Sequence, residues 1–301
     1  MNEFSNLRGY NGNSNLKREK QQIEWTPTML EEYVKCSKDV VYFTEKYMKI
    51  INVDRGLINF TLYDYQKEML HNMQHERFNI IATARQAGKS TVTCAYILWY
   101  IIFNTEKTVA LLANKGETAR EILGKVQLAY QHLPKWLQQG VVEWNKGSFV
   151  LENNSRVLAA ATSSSAIRGY SINLLFIDEA AHIDNWDDFF TSVFPTITSG
   201  TTSKVVLVST PNGMNHFYAI WQNAQEGRNE YKPVKVMWYD VPGRDEAWRQ
   251  RMLAGMNFDT EKFEQEMCCV SDTQVTVRDT VTGEVKNITM EDLYCELNSS
   301  E

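Results

Sequence analysis

Six short apolar runs, each followed by a turn or a helical pattern, constrain this 301-residue chain more than any other feature. They cover residues 79–83, 108–113, 148–151, 156–160, 174–177 and 204–209 and are rich in Val, Ile, Leu and Ala. Apolar runs of this length between turn signals read as strands buried on both faces. Long helical patterns fill the gaps, notably 90–103 and 118–132. Strands alternating with helices predict an α/β domain with a mainly parallel central sheet.

The flanks differ from this middle. Residues 1–25 are polar, rich in Asn and Lys and without apolar periodicity, which predicts a mobile tail. Thr26 and Pro27 fit a helix cap and a first-turn proline, and 29–48 carries helical apolar spacing. FTLYDYQKEML (60–70) reads as a short loop entering a helix. Past Tyr218 the pattern becomes mixed helix and loop as far as FEQEM (263–267). Beyond it, apolar and polar residues alternate on either side of Thr282 and Gly283, the pattern of a β-hairpin. A boundary is expected near Met267.

Composition sets limits. No apolar run approaches the eighteen residues of a membrane span, and the first twenty residues lack the apolar stretch of a signal peptide, so neither a membrane nor export is expected. Cys36, Cys94, Cys268, Cys269 and Cys295 show neither a disulfide framework nor zinc-ligand spacing, which fits a reducing compartment. The net charge of −6 looks wrong for a partner of nucleic acid. Residues 268–301, however, hold seven acids and two bases, or −5, which leaves −1 for the first 267. A near-neutral body can still carry a basic stripe, so charge decides nothing here.

Two segments carry chemistry. The strand-like run 78–84 leads into RQAGKST (85–91) and then a helical pattern. In such a loop Gly88 lets backbone approach a phosphate, Lys89 brings a positive charge to it and Ser90 can ligate Mg²⁺, while the helix N-terminus adds oriented N–H groups. The pattern is imperfect, because the first glycine of G-x-x-x-x-G-K-[ST] falls at Thr83. The second segment, NLLFIDEAAH (173–182), describes a buried strand ending in two acids, Asp178 and Glu179. Alone, it fits a core strand followed by an acidic helix cap better. Paired with the loop it is more specific, since open α/β sheets place ligands at the C-terminal ends of their strands. A magnesium-binding acid and a water-polarising acid are what nucleotide hydrolysis needs there.

Residues 60–225 closely resemble the ATPase domain of the large terminase subunits of myovirus-type tailed phages. The resemblance rests on a series of motifs in order: FTLYDYQKEML, RQAGKST, VALLANKGETAREIL (109–123), LPKWLQQGVVEWNKGS, SSSAIRGYS, FIDEAAH and VVLVSTPNGMNHFYAIW. RQAGKST looks like the family's variant Walker A, in which Thr83 and Arg85 are expected departures.

The resemblance implies a RecA-like P-loop NTPase core over 60–225, with a small helical subdomain II made of 26–59 and 226–267. It implies that Tyr65 and Gln66 contact adenine and that Arg85, Gln86, Ala87, Gly88, Lys89, Ser90 and Thr91 form the ATP-binding loop. Arg85 would be a cis arginine finger, Ser90 and Asp178 would hold Mg²⁺, and Glu179 would be the catalytic carboxylate. Ser209, Thr210 and Pro211 would form a coupling motif. Tyr65 also fits a plain core residue, and Arg85 a surface ion-pair partner. ATP with Mg²⁺, double-stranded viral DNA, the portal protein, the terminase small subunit and a homo-oligomeric ring on the portal are the implied cofactors and partners. The implied location is the host cytoplasm, with transient docking on the procapsid. A helicase-like DNA translocase and a non-motor fragment docking on the portal are the rival readings. Full-length members continue into a nuclease domain that nothing after Met267 matches.

From Cys268 the sequence resembles the start of an intein, with Thr273 sixth, Val275 eighth and a Thr-Gly turn before ITMEDL. This resemblance implies a splice junction between Met267 and Cys268, with Cys269 as the alternative first residue. The later blocks of an intein do not appear, which leaves either the N-terminal half of a split intein, whose partner half would carry the nuclease, or a truncated product. An ordinary hairpin with a buried cysteine pair fits the same residues.

Overall fold

The structure is a computed structural model and describes residues 9–162, 167, 169–198, 200–267, 274–278, 283 and 285–289. Helices α1 (Pro27–Lys38) and α2 (Val40–Tyr47) precede an antiparallel pair, β1 (Lys49–Asn52) and β2 (Gly56–Asn59). The central part then alternates: α3 (Asp64–His75), β3 (Phe78–Thr83), α4 (Lys89–Phe103), β4 (Thr108–Ala113) and α5 (Gly116–Gln131). After β5 (Val141–Trp144), β6 (Ser148–Leu151) and β7 (Arg156–Ala161) come β8 (Leu174–Asp178), α6 (Trp186–Thr198), β9 (Lys204–Ser209) and α7 (His216–Gln225). The chain continues through β10 (Tyr231–Val236), α8 (Glu246–Gly255) and α9 (Thr260–Met267) to a hairpin of β11 (Gln274–Arg278) and β12 (Val285–Thr289).

Eight strands form one sheet in the order β10-β3-β9-β8-β4-β7-β6-β5. Strands β10 to β7 in that order are parallel, and β6 and β5 add an antiparallel edge. The fold is thus the α/β architecture with a mainly parallel sheet that the alternation predicts. Every residue of β3 and β8 is buried, as expected of strands covered on both faces. On one face α4 is buried along its whole middle, 92–102, among α2, α3 and α5. This explains a helix with no polar stripe. On the other face α6 and α7 carry Trp186, Phe189, Ile197, Phe217 and Trp221 against the sheet.

The order of the sheet positions the site. β3 and β8 do not touch; β9 lies between them. The register pairs Ala82 with Ser209 and Asp178 with Val208, so all three strands end at one edge. Neighbouring strands lie about 4.8 Å apart, which puts the ends of β3 and β8 within reach of long side chains.

Three expectations about the flanks need correction. Residues 9–20 are not a tail: Leu16 is buried, Lys17 bonds through its backbone to Gln138 and Val141, and Arg18 makes a parallel bridge to Val141 beside β5. A polar segment can be anchored by backbone pairing, which leaves no apolar period to read. Residues 26–59 do not form a separate body with 226–267. Cys36, Val40, Phe43 and Met48 belong to the main core around α4, whereas Leu253, Phe263 and Met267 form a small cluster with Trp238, Trp248 and Met252. Nor does the core end at 225, because β10 is its edge strand. The hairpin around Gly283 is present, and Cys268, Cys269, Thr273 and Cys295 lie outside the described residues.

Candidate nucleotide site

The loop between β3 and α4 is built to bend sharply. Gln86 and Gly88 both have positive φ, +57° and +77°. Gly88 caps α4, and a Cβ there would stand 2.7 Å from Gln66 Nε2. The left-handed backbone is what favours glycine here, and a Cβ would in addition push the Gln66 amide aside. Behind the loop, Tyr65 Oη and Gln66 Nε2 both donate to Ala87 O, at 3.0 and 3.4 Å. Burial raises the Tyr65 hydroxyl to about 12, so it stays a donor. Gln66 Oε1 accepts from Tyr63 N at the start of α3. In this structure, then, Tyr65 and Gln66 hold the loop. The cavity next to them, about 510 Å³, is lined by Tyr63, Asp64, Tyr65, Lys235, Asp240 and Pro242.

Lys89, Ser90 and Thr91 open α4, leaving the N-terminal N–H groups at the cleft. Lys89 Nζ donates to the Glu179 carboxylate and stands 3.7 Å from Asp178 Oδ1. The two acids and the lysine thus meet in space. Asp178 is 3% exposed. Burial raises its carboxyl above the usual value, with Lys89 pulling the other way. Its Oδ1 has no hydrogen-bond partner, a buried acceptor of the kind that a cation or its water shell satisfies. Burial alone would raise Glu179 too, but Lys89 brings it below the usual carboxylate range.

Glu179 has φ +52°, a strained conformation for a side-chain-bearing residue. Its Oε2 accepts from Ser209 Oγ (3.4 Å), the last residue of β9, and from Thr210 Oγ1 (3.3 Å), the residue after it. Ser209 Oγ also accepts from Ala181 N at 3.1 Å. Pro211 continues the chain from there.

Sequence reasoning missed several residues around these. Asn215 Nδ2 donates to Ala181 O at 2.6 Å, Asn212 Nδ2 reaches the same oxygen at 3.3 Å, and a His216 ring nitrogen lies 2.7 Å from Ala180 O. His216 also stacks on Trp186 with ring centres 4.4 Å apart. These side chains clamp the turn that follows Glu179. Asn212 and Gly213 read in sequence as an ordinary turn, and the only local signal for Asn215 is its place as the cap of α7. Arg85 does not join Lys89 and the two acids: it is exposed and ion-paired with Glu266 of α9. Arg244 donates to the carbonyls of Arg85 and Gln86 at 3.1 and 3.0 Å.

A parallel sheet whose lysine-bearing loop and acid pair stand on strands separated by one other strand defines the P-loop NTPase class. A family model described as "Terminase large subunit, T4likevirus-type, N-terminal" matches residues 80–274, and the chain belongs to that family. Among solved structures, the HK97 bacteriophage large terminase is similar at 18% identity and TM-score 0.65, over 80% of this chain and 56% of that one. The ATPase domain of the Thermus phage P74-26 large terminase is similar at 17% identity and TM-score 0.57, over 69% of this chain and 93% of that one. The large terminase of a thermophilic bacteriophage, solved with ATP-γ-S, gives 12% identity and TM-score 0.50, over 64% and 49%. The chain spans about half the length of the large terminases it matches.

Proposed function

We propose that this chain is the ATP-hydrolysing motor portion of a phage large terminase and that it drives double-stranded DNA into a procapsid. The observation that carries the reading is the convergence of Lys89, Asp178 and Glu179 at the ends of β8 and α4. In this reading Lys89 leaves Glu179 for the phosphate oxygens, and Glu179, still held by Ser209 and Thr210, takes a proton from the attacking water. Ser90 and the orphaned oxygen of Asp178 would hold Mg²⁺, which when bound supplies charge neutralisation to the triphosphate. Ser209, Thr210 and Pro211 link the acid to α7, which gives hydrolysis a path to movement. Tyr65 and Gln66 would contact adenine from the cavity beside the loop, and Arg85 would act as a cis arginine finger once released from Glu266. The implied assembly is a ring on the portal in the host cytoplasm, working with a small subunit. A triplex-displacement assay on linear duplex DNA with ATP and the full chain tests this. Displacement without strand separation supports translocation; ATP-driven strand separation favours a helicase, and neither favours a non-motor fragment.

We further propose that residues 268–301 are the N-terminal part of an intein joined at Met267. The thiol of Cys268 would attack the carbonyl of Met267, forming a thioester and freeing the amino group of Cys268. The hairpin around Gly283 and the intein-like spacing from Cys268 support the reading. The family match runs to residue 274, seven beyond Met267 (274 − 267), so it does not itself mark the junction. Mixing the chain with a cognate C-terminal intein half carrying the nuclease should yield a longer product lacking residues 268–301 by mass spectrometry. Retention of those residues sinks the proposal.

A further inference from the structure

The loop that carries Lys89 is gripped from outside by the helical segment at 244–267. Arg85 N donates to Glu266 O at 2.9 Å while its guanidinium pairs with the Glu266 carboxylate. Arg244 fixes the next two carbonyls of the loop. α9 itself is anchored, since Met267 and Phe263 are buried in their own cluster. The result is a loop whose arginine is exposed and spent on a carboxylate, instead of joining Lys89 and the two acids.

We propose that Glu266 is a positioning residue for the phosphate loop: it parks Arg85 outward and competes with the phosphate chain of a nucleotide for the same guanidinium. The inference rests on the nucleotide reading above and adds to it an assigned competitor. A triphosphate carries more charge than one carboxylate and can accept from the same guanidinium N–H groups, so it can displace Glu266. When the pair opens, α9 loses one of its two ties to the loop. Occupancy of the site is thereby communicated to the residue immediately before Met267.

The pair is largely solvent-exposed on the Arg85 side, so its opposition to nucleotide binding is modest. Glu266→Gln should tighten the binding of a fluorescent ATP analogue with Mg²⁺ by about three- to fivefold at low salt, as expected for an exposed ion pair. The gain should shrink as salt is raised. Glu266→Asp, which keeps the charge, should behave as the unsubstituted chain. In an Arg85→Gln background the Glu266→Gln gain should vanish. Equal or weaker binding by Glu266→Gln, or a gain that persists without Arg85, overturns the proposal. A chain that binds the analogue normally yet ignores Glu266→Gln refutes this inference alone; no binding by any variant refutes the nucleotide reading itself.

Discussion

Lys89 and Glu179, ninety positions apart in the chain, are bonded to each other across the ends of α4 and β8. The lysine neutralises a half-buried acid, and under the proposed function it is also the cation that meets an arriving phosphate. This pairing explains why burial raises Asp178 but fails to raise Glu179.

The pairing predicts a pH signature. Because the folded value of Glu179 is lowered, its stabilising contribution is present above the ordinary carboxylate value of about 4.3 and is lost as pH falls through the lowered value. Lys89→Met should melt below the unsubstituted chain near neutral pH, and the gap should close under acid as the unpaired carboxylates protonate. Thermal melts from pH 7 down to about 2.5 check this, since the loss falls below the ordinary carboxylate value. A gap that stays constant or widens contradicts it.

Gly88→Ala should destabilise the loop. A left-handed conformation costs an alanine about 1–2 kcal/mol, and the new Cβ would also press on Gln66 Nε2. For a domain of this size the melting temperature should drop by roughly 2–8 °C. Because Gln66 is displaced from Ala87, nucleotide affinity should fall with it. An unchanged melting temperature would contradict the geometry.

Asn215→Ala separates positioning from binding. Asn215 caps α7 and holds Ala181 O, so its loss should lower stability by about 1 kcal/mol. It should also lower turnover roughly ten- to a hundredfold by loosening the turn behind Glu179. Lys89 and the loop are untouched, so nucleotide affinity should hold. A parallel loss of affinity and turnover would show that the clamp acts on the whole site.

The strands that carry the site were legible because burial on both faces writes a plain apolar run, as in 79–83 and 174–177. β10 was not: YKPVKV interleaves lysines and a proline, the mark of an edge strand and not of a core one. Lys89, Asp178 and Glu179 could be picked out because each sits at the end of a readable strand or helix. The clamp at Asn215 and His216 and the Arg85–Glu266 pair could not, since each depends on contacts between distant segments that no local period encodes. The anchored segment 9–20 escaped for a related reason, as backbone pairing beside β5 and bonds to Gln138 and Glu152 hold it with few apolar contacts, those of Tyr10 and Leu16.

Magnesium-dependent phosphate release by Glu179→Gln, measured beside the binding of an ATP analogue, tests the central claim most directly. If Glu179 is the acid that takes the proton of water, turnover should fall by at least about a hundredfold while the analogue still binds. Near-normal turnover in that variant would place the catalytic acid elsewhere and contradict the account.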